Sequence, residues 1–422
     1  MSEPTSPIQI RDFRLLWLGR FCSTLATTGM VVIIGYQLYD VARGVYGMSI
    51  PQASLQLGIL GLVQFIPLFF LTPLAGLVAD RFDRGRVATL AIGIDVVMAL
   101  LLALVTRSGH VTLLTLYVLA AMHGTARVFV GPSLGAILPN VVPANLMPRA
   151  IAMSSMSWQI GAVAGPAAAG LLFAAQADLP YWTAGALLLI SCLSVAAVRK
   201  LPPIAGNRDL HPLLQIKEGF AFVWHERFLL GCVTLDLFAV LLGGATALLP
   251  VYARDILHVG SEGLGIMRAA PSVGAALIGL VLSWRPIERN VGDKMLWSVA
   301  AFGASTIGFG LSTSFALSLF MLSLLGAADM VSVFVRSTLV QLNTPNAMRG
   351  RVSSISGLAI SASNELGEMQ SGLFASLLGA VGAVVFGGVA AILITATWAV
   401  IFPELRNART FAPHYRHKEQ EA

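Results

Sequence analysis

Gly76-Leu-Val-Ala-Asp80-Arg81-Phe-Asp83-Arg84-Gly-Arg86 packs five charged residues between two apolar runs, 54–79 and 86–106. A bilayer core about 30 Å thick is crossed by about 20 apolar residues in a helix. Each flanking run is long enough. The charged segment therefore reads as a tight turn between two membrane-spanning helices.

Working outward, the same test finds apolar spans throughout the chain. The first half gives 13–39, 54–79, 86–106, 111–138, 150–174 and 181–198. The second half gives 228–252, 263–284, 295–313, 315–341, 352–378 and 381–402. The expected fold is an all-α integral membrane protein with twelve transmembrane helices in two pseudo-symmetric six-helix bundles. Composition agrees: 56% of the 422 residues are hydrophobic and 11% are charged, against roughly 25% charged in soluble domains. The mean hydropathy is +0.79.

The longest polar stretch, 199–227, divides the chain into an N-terminal bundle (1–198) and a C-terminal bundle (228–403). It contains Pro202, Pro203, Gly206, Asn207, Arg208 and Asp209, and then an amphipathic segment from Pro212 to Trp224. It reads as a cytoplasmic linker, and 404–422 as a cytoplasmic tail. With the N-terminus inside, 20 of the 27 Lys and Arg fall on the inner face, three outside (Arg43, Arg107, Arg254) and four within spans (Arg20, Arg127, Arg268, Arg336). Cytoplasmic loops of membrane proteins are enriched in these residues. Both termini are accordingly expected inside a cell (inner) membrane. The basic residues lie in short inter-span loops, which fits topology better than a nucleic-acid-binding face.

Cys22, Cys192 and Cys232 are scattered inside apolar segments with no Cys-x-x-Cys or Cys/His cluster. No cofactor or metal is expected. Nor is there a P-loop, Gly-x-Ser-x-Gly or His-Glu-x-x-His, so the chain does not read as an enzyme. A weak repeat relates the halves. Met147-Pro-Arg149 follows span 4 and Met348-Arg-Gly-Arg351 follows span 10, each after a Pro-Asn-containing turn. Internal repeats of this kind occur in transporter folds.

Two further elements stand out. Span 4 carries Arg127-Val-Phe-Val-Gly131. Span 5 carries Gly161-Ala-Val-Ala-Gly165-Pro166-Ala-Ala-Ala-Gly170. Its glycines make a smooth face that suits close helix packing, and Pro166 permits a kink. Together with the opening loop these elements resemble the major facilitator superfamily. Gly76 to Arg86 is similar to its loop 2–3 signature (Gly76, Asp80, Arg81, Asp83, Arg84, Arg86), Arg127 to Gly131 to its span 4 element, and Gly161 to Gly170 to its antiporter motif. Ala169 departs from that motif, where a second Gly is usual. The Asp83-Arg84 pair, Phe13-Arg-Leu-Leu-Trp17, Gly19-Arg20-Phe21 and Arg349-Gly-Arg351-Val-Ser resemble the drug:proton antiporter branch that includes enterobactin-type siderophore exporters.

The resemblance implies alternating access, with spans 1, 4, 7 and 10 lining a central cavity. It implies a monomer exchanging protons for a small-molecule substrate. Ionisable residues inside a bilayer are costly and mark function. The candidates for proton coupling or substrate contact are Arg127, Asp236, Asp329, Arg336, Glu365 and Glu368. Glu365 and Glu368, one turn apart, cannot both ionise cheaply and are the first choice as proton carriers. Asp329 is expected to pair with an Arg, either along its own helix, where Arg336 lies two turns away, or across to another helix. Asp95, in span 3, is expected against span 2 or near the outer surface, and Arg20 to snorkel to the inner interface. The leading reading is a proton-coupled exporter of amphipathic small molecules, drugs or siderophore-like compounds. The alternatives are a proton-coupled or facilitative nutrient importer and a non-transporting membrane receptor.

Overall fold

A computed structural model describes residues 5–199, 212–345 and 348–412, apart from the side chains of 73, 76, 77, 79–81, 136 and 212–216. Every regular element among the described residues is helical. In hydrocarbon, a helix satisfies all its backbone donors and acceptors internally, which a lone strand cannot do. Six helices precede the linker: α1 (Arg11–Gly44), α2 (Ile50–Arg81), α3 (Arg84–Ser108), α4 (Leu113–Val141), α5 (Met147–Ala175) and α6 (Leu179–Ala196). Then follow α7 (Pro212–His225), α8 (Arg227–Gly243), the single turn α9 (Leu249–Val251), α10 (Gly260–Trp284), α11 (Val291–Gly310), α12 (Phe315–Leu342), α13 (Arg349–Ile401) and α14 (Pro403–Arg406). Ten stretches among the described residues are long and apolar enough to cross a membrane. The protein is a multi-pass α-helical membrane protein.

Two features depart from simple spans. The 53-residue α13 is two helices joined at Gly379, whose φ of 75° and ψ of 164° lie where only glycine is at ease. The sequence cut between 378 and 381 falls at this joint. Span 7, read from sequence as one helix over 228–252, is interrupted. The ladder of α8 stops at Gly244, turns through a 3₁₀ stretch (Ala245–Leu248) and ends in a π turn (Tyr252–Ile256). The Gly243-Gly244 pair and Pro250 explain the break, since such residues weaken or remove ladder bonds. The freed carbonyl of Gly244 accepts a hydrogen bond from Ser371 Oγ at 2.9 Å.

The expected linker lies partly outside the described residues, at 200–211. Its amphipathic part forms α7. Expected tail residues 413–422 also lie outside.

The chain clusters into two compact units. The first comprises Met1–Met48, Leu62–Asp209 and His258–Ala269. The second comprises Ser49–Gly61, Leu210–Leu257 and Ala270–Ala422. In the first, α1 packs along α5 and α6, and α3 along α4 and α6. In the second, α13 packs on α8 and α11, and α11 on α12. The chain after α13 is tied back by Asn290 N–H donating to Arg409 O and Gly292 N–H donating to Ala408 O.

Candidate functional site

In the first unit the seam between α1 and α5 is pinned at three levels. Trp17 Nε1 donates to Met153 O at 3.0 Å, and Thr28 Oγ1 donates to Gly161 O at 3.0 Å. Between and beyond them, a Cβ at Gly161 would stand 2.8 Å from Thr24 Cγ2, and one at Gly165 2.7 Å from Leu25 O. Further along, Gly265 of α10 meets Pro166 O, a Cβ there standing only 2.5 Å away. The span 5 glycines are thus the surfaces by which α5 seats against α1 and the start of α10. Pro166 lies inside an α5 that runs unbroken. Beside this seam is a cavity of about 340 Å3, lined by Arg20, Leu138, Ile151, Ser154, Ser155, Trp158 and Gln159.

Between α3 and α4 the Nδ1–H of His123 donates to Asp95 Oδ1 at 2.9 Å, with both residues 1% exposed. The sequence reading of Asp95 is corrected here. It faces span 4, because the nearest polar group at its depth is the imidazole of His123. His123 Nε2 has no hydrogen-bond partner among the described residues. Arg127, one turn on from His123, is exposed.

The opening loop is a two-residue turn, Phe82-Asp83, between α2 and α3. Asp83 caps α3 by accepting from Arg86 N–H at 3.1 Å, the usual role of an Asp before a first turn. Arg86 is exposed and Arg84 half-buried. The side chains of Gly76, Asp80 and Arg81 lie outside the described residues, so their part in a latch does too.

In the second unit Asp236 of α8 and Arg336 of α12 form a buried ion pair, at 8% and 7% exposure. They line a cavity of about 220 Å3 with Ser337, Gln341, Ser353 and Ser356. Buried ion pairs hold only when geometry offsets desolvation. This one takes the arginine that sequence reasoning gave to Asp329. Asp329 is half-buried and makes no ion pair among the described residues. Cross-helix geometry won over the intrahelical spacing, because Arg336 points across to α8.

Glu365 is buried and Glu368 half-buried on α13. They stand where α2 comes closest to α13. A Cβ at Gly61 would lie 2.9 Å from Glu368 Cβ and 3.1 Å from Glu365 O, and one at Gly58 2.8 Å from Met369 O. At the starts of α13 and α8, Arg351 pairs with Glu218 of α7 at 2.9 Å and Arg227 with Glu404 of α14 at 3.3 Å. Of the two, the more exposed Arg227–Glu404 pair contributes about 0–1 kcal/mol.

A family model described as Major Facilitator Superfamily matches residues 16–368. The chain belongs to that superfamily. Relatives within it include the enterobactin exporter EntS of Escherichia coli, 27% identical over 95% of this chain and 94% of that protein. EntS of Citrobacter koseri is 27% identical over 88% and 85%. Among solved structures, the nucleoside transporter NupG matches with a TM-score of 0.75 at 14% identity, covering 93% of this chain and 99% of that one. An inward-facing bacterial homolog of the human lysosomal transporter Spinster matches at 0.69 and 16%, covering 96% and 97%. These superfamily relatives and fold neighbours are transporters, not enzymes. The chain is a membrane transporter for small-molecule substrates.

Two groupings escaped the sequence. Asp95 and His123 are the mid-span acid and imidazole of consecutive helices at similar depth from the turn that joins them, a signal that would have paired them. Nothing in spacing alone joins Asp236 to Arg336, which lie 100 residues apart.

Proposed function

We propose that this transporter is a proton-coupled exporter of amphipathic, siderophore-like or drug-like small molecules in a cell (inner) membrane, working as a monomer. The reading has two six-helix halves, 1–198 and 228–403, joined by 199–227 with both termini inside. The observation that carries export is the likeness to enterobactin exporters along nearly the whole chain. The Asp83-Arg84 and Arg349-Gly-Arg351 elements favour the same branch.

Twelve crossings follow if α11 and both limbs of α13 are counted with the other long helices. Proton coupling is assigned to the carboxyls of the second unit. Glu365 and Glu368 lie one turn apart against α2, and Asp329 sits in α12 without an ion-pair partner among the described residues. Ionisable groups inside a bilayer are costly and mark function, so these carboxyls are the proposed carriers of the coupled proton. Arg127, Asp236 and Arg336 are proposed as substrate-contacting or pairing groups. Asp80, Arg81, Asp83, Arg84 and Arg86 are proposed to serve the inner gate with Gly76. Gly161, Gly165, Pro166 and Gly170 are proposed as the packing face on which the halves rock.

The test is flux of enterobactin in proteoliposomes under an imposed pH gradient. Wild-type protein is expected to move it against the proton flow. Glu368→Gln is expected to abolish gradient-driven flux while the protein stays folded. Flux of Glu368→Gln at the wild-type rate removes Glu368 as the carrier. Uptake of solutes in the direction of proton flow, with no export, gives the importer reading instead.

A further inference from the structure

We propose that the cavity beside the α1–α5 seam is a substrate subsite for the anionic end of a planar aromatic molecule. Arg20 receives the anion and Trp158 the ring. The proposal deepens the transporter reading and rests on it.

The argument begins with a missing charge. Arg20 is half-buried and has no ion-pair or hydrogen-bond partner among the described residues. An arginine at membrane depth is costly without a partner, and the helices around this cavity offer none. α4 and α5 contain no Asp or Glu at all. On α1 the acids are Asp12 and Asp40, two turns or more from Arg20, and Asp12 is taken by Arg199 at 3.3 Å. The lining helices supply no counter-charge, which leaves the guanidinium available to an anionic ligand.

The surroundings define the rest of the ligand. Trp158 is 57% exposed and borders the cavity, offering an aromatic face. Aromatic rings stack on such faces, and a guanidinium presents a planar fork matched to a carboxylate. Ser154, Ser155 and Gln159 supply hydroxyl and amide groups for polar substituents. Size fits as well. A dry cavity of about 150 Å3 takes benzene, so about 340 Å3 takes a ring with its carboxylate and substituents.

The site is also held rigidly. Arg20 lies between Trp17 and Thr28, and Ser154, Ser155, Trp158 and Gln159 of α5 lie between Met153 and Gly161. Both stretches are fixed by the Trp17–Met153 and Thr28–Gly161 bonds. A preorganised pocket spends little of its binding energy on ordering. Snorkelling does not supply the missing counter-charge, whereas an anionic ligand does.

The test measures binding of salicylate to the purified protein by calorimetry, with benzamide and cyclohexanecarboxylate as comparison probes. Salicylate is expected to bind. Benzamide, lacking the charge, and cyclohexanecarboxylate, lacking the flat ring, are each expected to bind about ten-fold more weakly or not at all. Arg20→Gln is expected to lose at least about ten-fold, with Arg20→Lys in between. Trp158→Ala is expected to lose several-fold and Trp158→Phe little. Ser155→Trp, a change at an exposed position that fills the cavity while leaving Arg20 in the chain, provides a second route should Arg20→Gln not fold. It is expected to abolish binding at an unchanged melting temperature.

Absence of salicylate binding to the wild type overturns the proposal. So does equal binding by Arg20→Gln or Ser155→Trp, or equal binding of cyclohexanecarboxylate. If salicylate binds as described but enterobactin is not exported, the subsite stands and the export reading falls. If export is seen but salicylate does not bind, the reverse holds.

Discussion

Asp95 and His123 close a 2.9 Å hydrogen bond between α3 and α4, out of contact with the surface. Removing one partner orphans the other in a low-dielectric interior, whereas removing both leaves only apolar surface. Asp95→Leu is expected to cost about 1–3 kcal/mol, and Asp95→Leu/His123→Leu to cost less than the sum of the single changes. Thermal unfolding in micelles, followed by a thiol-reactive dye that reaches buried Cys22 and Cys232 only on unfolding, measures both. Additive losses would show that the pair is not coupled.

Glycines of the span 4 and span 5 elements divide by what they touch. A methyl at Gly165 meets Leu25 O and the Thr28 hydroxyl, whereas at Gly131 nothing lies within 4 Å. Gly165→Ala is expected to destabilise by about 1–3 kcal/mol. Gly131→Ala is expected to stabilise by up to about 1 kcal/mol, because alanine is the better helix former. The same melting assay ranks them, and the opposite order would contradict the packing described.

Asp236 and Arg336 are mutually dependent. Asp236→Asn leaves Arg336 buried without its counter-charge, a loss on the order of 3–5 kcal/mol. The reciprocal exchange Asp236→Arg/Arg336→Asp is expected to recover part of it. Ser356, whose buried hydroxyl has no hydrogen-bond partner, is expected to tolerate Ala with little or no loss. Yield of monodisperse protein and melting temperature together report all three.

At Gly379 the backbone sits where a Cβ is strained whatever space surrounds it. Gly379→Ala is expected to cost about 1–3 kcal/mol, against Gly350→Ala, an open helical position, as the control. Equal melting temperatures for the two variants would argue against the joint.

What the sequence made legible follows from physics that is local along the chain. Apolar length set the helices, so the edges of α3, α6 and α12 fall within a few residues of the expected spans. The cut between 378 and 381 lies on Gly379 for the same reason. Asp83 was part of the quoted loop, and its capping role follows from its place before α3. Other features depend on which helices face one another. Asp329 looked paired because Arg336 lies two turns away on α12, but side-chain direction carried Arg336 to α8. Asp95 looked misplaced until α4 stood beside α3. Arg20 read as an interfacial arginine because a cavity beside it leaves no trace in spacing. The interruption of span 7 was hidden because hydropathy is blind to backbone ladders, although Gly243-Gly244 marked it.

That interruption has a mechanical corollary. Beyond Gly244 the polypeptide is not bound to α8 by a continuous row of amide bonds. It is held instead by other partners: Ser371 Oγ and Ala247 N–H both donate to the carbonyl of Gly244, and the Tyr252 hydroxyl donates to Gly310 O at 2.8 Å. Most of the segment 245–256 is buried, Leu248, Leu249, Val251, Tyr252 and Ala253 among it, so displacing it would cost apolar packing as well as these bonds. The interruption therefore redirects the chain without loosening it.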